Sequence, residues 1–246
     1  MLHESLSAEM PVTHAPGRAH ATLAQVDCWL FDLDNTLYSP EIGLFAEVDL
    51  RMGAYIMRLL DCDAVEARRV QKLYFHDHGT TLAGLMRHHA IDPEEFLADV
   101  HAVHMDKLTP DPELRSLIER LSGDKHIFTN ANRAYAEEVL DRRGLGGLFG
   151  VIVDITACSY IPKPEPGAYA TLTRMIDGFD PRRACLFDDM SRNLAPAHAL
   201  GMTTVWLANG SESGERGHDP AHTDHNASDL RPWLERVVPA LERNHR

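Results

Sequence analysis

The chain has 246 residues, 44% of them hydrophobic, which suffices for one large domain or a core domain with a smaller insertion. Its formal net charge of −13 argues against a protein that tracks a nucleic acid polymer or an anionic membrane, since both reward clustered Lys and Arg. Cys28, Cys62, Cys158 and Cys185 show no CxxC spacing and no window reaches transmembrane length, so a reducing compartment, by default the cytoplasm, is expected.

Residues 1–24 are polar and interrupted by Pro, and predict a disordered leader. An apolar run predicts the first strand over 26–32, ending in Asp32-Leu33-Asp34. Helical patterns near 45–60, 63–78, 81–90 and 93–106 follow with no strand among them, and predict a helical insertion over 42–109. Beyond it, strands near 125–129, 151–155, 183–187 and 203–207 alternate with helices near 112–122, 133–143, 165–177 and 193–200. This alternation predicts an α/β fold, a doubly wound parallel sheet built from residues 25–41 and 110–246. Asp111-Pro112 marks one helix start, Gly144 a helix end, and Asn193 an N-cap for the last of these helices. From Asn209 a flexible surface stretch is expected, with His218, His222 and His225 read as solvated residues instead of metal ligands, and then a terminal helix over 229–241.

The chemistry gathers where strands end. A carboxylate at the C-terminal end of a buried strand faces the crevice where open α/β sheets bind ligands. Asp32 therefore predicts a cation or phosphate site, and Asp34 can share that cation while handling a proton. Thr129-Asn130 ends the second strand, Lys163 lies in the Pro-bounded loop Ile161-Pro162-Lys163-Pro164, and Asp188-Asp189 follows a later strand. Taken singly, each has a plain structural reading: an acidic turn, a helix-capping Thr, a loop Lys.

In their order and setting these segments resemble the motifs of the haloacid dehalogenase superfamily, most of whose members are Mg-dependent phosphohydrolases with a Rossmann-like core. The resemblance implies Asp32 as nucleophile, Asp34 as general acid and base, and Thr129 and Lys163 as further catalytic groups on the phosphoryl oxygens. It implies Mg²⁺ as cofactor, held by Asp32, the backbone carbonyl of Asp34, Asp189, and Asp188 directly or through water. Asn35 stands where the family often has Gly, and Asn193 where many members have Asp.

The stretch Tyr74–Leu85, with Asn130 and Arg192-Asn193-Leu194, is similar to the pyrimidine 5′-nucleotidase branch. That likeness implies a nucleoside monophosphate such as UMP or CMP as substrate, with His78, Thr80, Thr81, Asn130 and Arg192 as candidate contacts. Gly79 predicts a sharp turn, and Thr80 or Thr81 the cap of the next helix. Another small phosphate ester, such as a sugar phosphate or phosphoglycolate, is the alternative. A metal-independent dehalogenase would leave Asp34 and Asp188-Asp189 superfluous. A phosphonate hydrolase would need a cap lysine, with Lys72 and Lys107 the only ones at hand, and a non-catalytic scaffold would be expected to lack one of the core groups.

Overall fold

The computed structural model describes residues 23–244. Six parallel strands form one sheet in the order β3-β2-β1-β4-β5-β6, with β1 Cys28–Phe31, β2 Asp124–Phe128, β3 Ile152–Val153, β4 Ala184–Asp188, β5 Thr203–Leu207 and β6 His225–Ala227. The helices are α1 Leu44–Leu60, α2 Ala64–His78, α3 Thr81–His89, α4 Pro93–Val100, α5 Pro112–Arg120, α6 Arg133–Arg142, α7 Pro166–Met175, α8 Ser191–Leu200 and α9 Leu230–Asn244.

The strands are apolar on both faces because both are covered. Alternate residues divide between two packed layers. Trp29, Phe31, Ile127, Phe187 and Val205 pack against α5, α6 and α9, while Leu30, Phe128, Leu186 and Trp206 pack against α7 and α8. Chain connections run from β1 outward in both directions, so the sheet changes winding between β1 and β4, the place where such sheets open a crevice at their carboxyl ends. Phe31 pairs with Phe187 across that boundary, which sets the residues that follow them, Asp32 and Asp188, side by side.

Between β1 and α5 lie α1 to α4, which pack on one another without a strand. Their starts have local causes: the carboxylates of Asp63 and Asp92 and the hydroxyl of Thr80 accept backbone N–H bonds from Glu66, Glu94 and Ala83. Gly79 turns the chain at φ +83°, and Gly84 lets α3 lie so close to α2 that a Cβ there would sit 2.3 Å from that of Tyr74.

Several expectations need correction. Leu23 and Ala24, assigned to the leader, begin a short 3₁₀ turn over Leu23–Gln25 in which Leu23 packs on the core; the rest of that leader, 1–22, lies outside the described residues. The strand β6 lies in the stretch expected to be surface loop, because three residues with a polar, exposed centre carry no apolar run. The fourth insertion helix stops at Val100, six residues early, with a 3₁₀ turn at Met105–Lys107. The helix α8 starts at Ser191, so Asn193 lies inside its first turn and does not cap it.

Candidate active site

Asp32, Thr129, Lys163 and the pair Asp188-Asp189 come from four places in the chain and meet at the carboxyl edge of β1, β2 and β4, each residue at most 7% exposed. Lys163 joins them. Its Nζ donates to Asp32 Oδ1 at 2.8 Å, to Asp188 Oδ2 at 2.7 Å and to the Phe128 carbonyl at 2.7 Å. Burial works against this ammonium, but Asp188 and Asp32 outweigh it and hold its pKa above the ordinary lysine range. Thr129 Oγ1 accepts from Ala131 N at 3.0 Å, which leaves its hydroxyl proton to point at an incoming oxygen.

Carboxylates outnumber the cation. Oxygens of Asp32, Asp188 and Asp189 lie within 4.8 Å of one another, the only such three-residue group of metal-ligating side chains among the described residues. Burial first, then the neighbouring carboxylates Asp188 and Asp189, push Asp32 up, with Lys163 opposing, and burial and Asp188 push Asp189 up to about 7. A hard divalent cation fits this all-oxygen, over-negative donor set and would reverse both shifts. Asp188 is the more occupied of the last pair: its oxygens also accept from Met190 N and from Asn193 Nδ2, whereas Asp189 meets Asn35 at 3.5 Å and the Ser211 hydroxyl. Asn35 sits at φ 57°, a left-handed position Asn tolerates, which accounts for the Gly that the family often has there.

Asp34 faces elsewhere. Its Oδ1 accepts from both Tyr38 and Tyr135 hydroxyls, the latter at 2.8 Å. Burial raises its pKa, and the two phenol bonds pull it down by less. Neither tyrosine was anticipated. Tyr38 lies four residues after Asp34 in the same loop, a spacing that could have been noticed, but Tyr135 is 101 residues away and carried no signal.

A cavity of about 330 Å³ opens above these groups and reaches under α1, α2 and α4. Phe45, Val48, Met52, Phe75, Phe96 and Leu97 form much of its wall, with Asp49, Gln71 and Lys72 as a polar edge. Thr80, Thr81, Asn130 and Arg192 also border it, each held by hydrogen bonds within the protein. Thr80 Oγ1 caps α3, and Thr81 Oγ1 donates to the Gln71 carbonyl at 3.4 Å. Asn130 clamps the backbone of Lys163 from both sides, at 2.8 and 3.1 Å. Arg192 donates to the carbonyls of Gly79 and Phe75 and lies 4.1 Å from the Phe75 ring centre, tying α8 to the end of α2. His78 does not line the cavity; its ring meets that of His88, Nε2 to Nε2, at 2.9 Å.

The remaining candidates also find plain partners. His218 stacks on Trp206 and bonds Ser191, and Lys72 pairs with Asp49 and Glu212.

A parallel sheet with a carboxylate-rich crevice at its winding reversal, roofed by helices inserted after the first strand, defines a hydrolase with the Rossmann-like fold of the haloacid dehalogenase type. The chain belongs to the haloacid dehalogenase-like hydrolase family, whose sequence profile matches residues 26–201. It is 27% identical over 196 residues to Phosphate metabolism protein 8 of Saccharomyces cerevisiae, a match covering 72% of this chain and 60% of that protein's length. Among solved structures, a haloacid dehalogenase-superfamily phosphatase from Thermococcus onnurineus aligns with a TM-score of 0.56 and 22% identity, over 87% of this chain and 98% of that one. The L-2-haloacid dehalogenase of Xanthobacter autotrophicus aligns with a TM-score of 0.55 and 17% identity, over 87% and 99%. One fold thus carries both chemistries, and the choice between them rests on the residues.

Proposed function

We propose that the protein is a Mg²⁺-dependent phosphomonoester hydrolase that works through an aspartyl-phosphate intermediate, with pyrimidine nucleoside 5′-monophosphates (UMP and CMP) as its preferred substrates. The observation that carries the reading is the buried set of Asp32, Asp188 and Asp189 around Lys163, a donor set that a metal-free dehalogenase would not need. The yeast relative's name points to phosphate chemistry as well.

In this reading Asp32 attacks phosphorus, the bond to the ester oxygen breaks, and Asp34 gives its proton to that oxygen, which leaves as an alcohol. Water then gives a proton to Asp34 while its oxygen attacks the phosphoryl group and returns Asp32 to a free carboxylate. Thr129 donates to a phosphoryl oxygen, and Lys163, whose three protons go to Asp32, Asp188 and the Phe128 carbonyl, offers its positive charge to the same group and favours the ionised form of Asp32. Asp32, the Asp34 carbonyl and Asp189, with Asp188 in support, would hold Mg²⁺, which neutralises phosphate charge when bound.

Residues 42–109 serve as the cap that encloses the leaving group, over a core of 25–41 and 110–246. Base preference rests on the aromatic wall, since Thr80, Thr81 and Asn130 and the Asp49, Gln71 and Lys72 edge are all held in hydrogen bonds or ion pairs within the protein. No helix among the described residues is long and apolar enough to cross a membrane, and the acidic chain suits a small phosphate ester better than a nucleic acid polymer or membrane, in the cytoplasm. The test is a screen over nucleoside monophosphates, sugar phosphates and phosphoglycolate, with Mg²⁺ and with chelator. The highest kcat/KM on UMP or CMP is expected. Preference for another ester would defeat the nucleotidase assignment alone, and absence of metal-dependent turnover on every ester would defeat the phosphohydrolase one.

A further inference from the structure

We propose that Tyr38 and Tyr135 are positioning residues that aim the acid/base carboxyl of Asp34, tying back one oxygen so that the other is presented to the leaving group. The inference rests on the phosphohydrolase reading and adds how its proton carrier is held.

The geometry is specific. Both hydroxyls donate to Oδ1 of Asp34, their own oxygens lie 3.5 Å apart, and among the described residues nothing donates to Oδ2. Two donors on one oxygen lock rotation of the carboxyl about its Cβ–Cγ bond, because turning it would strand two buried phenols. Tyr38 and Tyr135 are 3% and 4% exposed, so neither hydroxyl has water as a ready substitute. Packing alone would be met equally well by Phe at either position, without the demand for a polar partner.

The two tyrosines are also held from opposite sides. Arg143 grips the loop of Tyr38 through the Leu37 carbonyl at 3.2 Å, and Tyr135 stacks on His101, the residue that ends α4, at 4.3 Å between ring centres. The path from the end of the cap to the proton carrier thus runs through one ring pair.

Proton donation counts most when the departing oxygen is basic. It counts least for an aryl ester, whose phenolate leaves unaided. Tyr38→Phe, Tyr135→Phe and the double variant, each checked by circular dichroism, would be assayed for kcat/KM on p-nitrophenyl phosphate and on an alkyl phosphomonoester such as UMP. This parameter reports phosphoryl transfer, the step that needs the acid. The double variant should lose about ten- to a hundredfold more on the alkyl ester than on the aryl ester, with the single variants in between. Equal losses on both esters, or no loss on either, would overturn the positioning role. If the wild-type protein prefers another alkyl ester, that ester replaces UMP in the comparison; a wild-type protein inactive on every ester would overturn the phosphohydrolase reading, and this inference with it.

Discussion

The core site and the helical cap use their polar residues in opposite ways. In the core, Asp32, Lys163 and Asp188 are bonded to one another, and their partners come from separate strands and loops. In the cap and its seam, Thr80, Thr81, His78 and Arg192 satisfy helix ends, carbonyls or each other's neighbours. Chemistry on a fixed phosphate needs groups held to within a fraction of an ångström, so the core spends its hydrogen bonds on mutual placement. The helical insertion lines the cavity chiefly with Phe45, Phe75, Phe96 and aliphatic walls, which select by shape.

The sharpest break of that contrast is Asp32→Asn. Turnover should fall at least about a thousandfold, on the order of 4 kcal/mol of barrier, on every ester alike and with the circular dichroism spectrum unchanged. Activity near wild type would falsify the aspartyl-phosphate mechanism. Metal removal comes next. Chelation should abolish turnover and Mg²⁺ restore it, whereas Ca²⁺ should bind and inhibit through its larger, looser shell. Full turnover in excess chelator would instead favour dehalogenase-like chemistry.

At the seam between the regions, burial pushes His101 down to about 4, while an unfolded histidine titrates near 6.5. Above pH 6.5 both states are neutral; between 6.5 and 4 the unfolded chain takes up a proton that the folded chain refuses, so stability falls as pH falls. Melting curves of wild type and His101→Phe should diverge over that window by at most about 3 kcal/mol. Parallel curves would show that the ring is protonated in place.

Inside the cap, replacing Thr80 and Thr81 together by Val should cost about 1 kcal/mol for the lost N-cap, with UMP and p-nitrophenyl phosphate hydrolysis falling in step. A loss confined to UMP would restore these hydroxyls as contacts to the base. The smallest effect is expected at Glu212→Gln. It removes exposed ion pairs to Arg68 and Lys72 that bridge the cap and the 209–217 loop, and should shift stability by less than about 1 kcal/mol, less still at high salt. A larger, salt-independent loss would mean that this bridge holds the cap shut.

The core was legible because Asp32, Thr129 and Asp188-Asp189 stand at the ends of apolar strands and Lys163 in a Pro-bounded loop, where the reason for each position can be read one residue at a time. Asp32 after Phe31 and Asp188 at the end of β4 are such cases. The helices of the insertion were legible from their caps and apolar spacing for the same local reason. What escaped reading was non-local. Nothing near Asn130 says that its amide is used up on a backbone 33 residues later, and nothing near Tyr135 points back to Asp34. β6 escaped because its pairing with β5, not its own composition, makes it a strand. The nucleotidase likeness drew on residues that shape the cap's turn, so it identified a fold feature more directly than a contact.

The imbalance of three buried carboxylates against one ammonium carries a thermodynamic consequence. An unfolded chain disperses these charges in water, whereas the folded one must hold them together, so a cation that binds there binds the native state almost exclusively. Linkage then makes the free energy of unfolding grow with the logarithm of metal activity, by about 2.7 kcal/mol at a hundred times the dissociation constant. The melting temperature becomes a titration curve for Mg²⁺, readable without any substrate. Asp189→Asn should flatten that curve while raising its metal-free starting point, because it removes repulsion and ligand in one step.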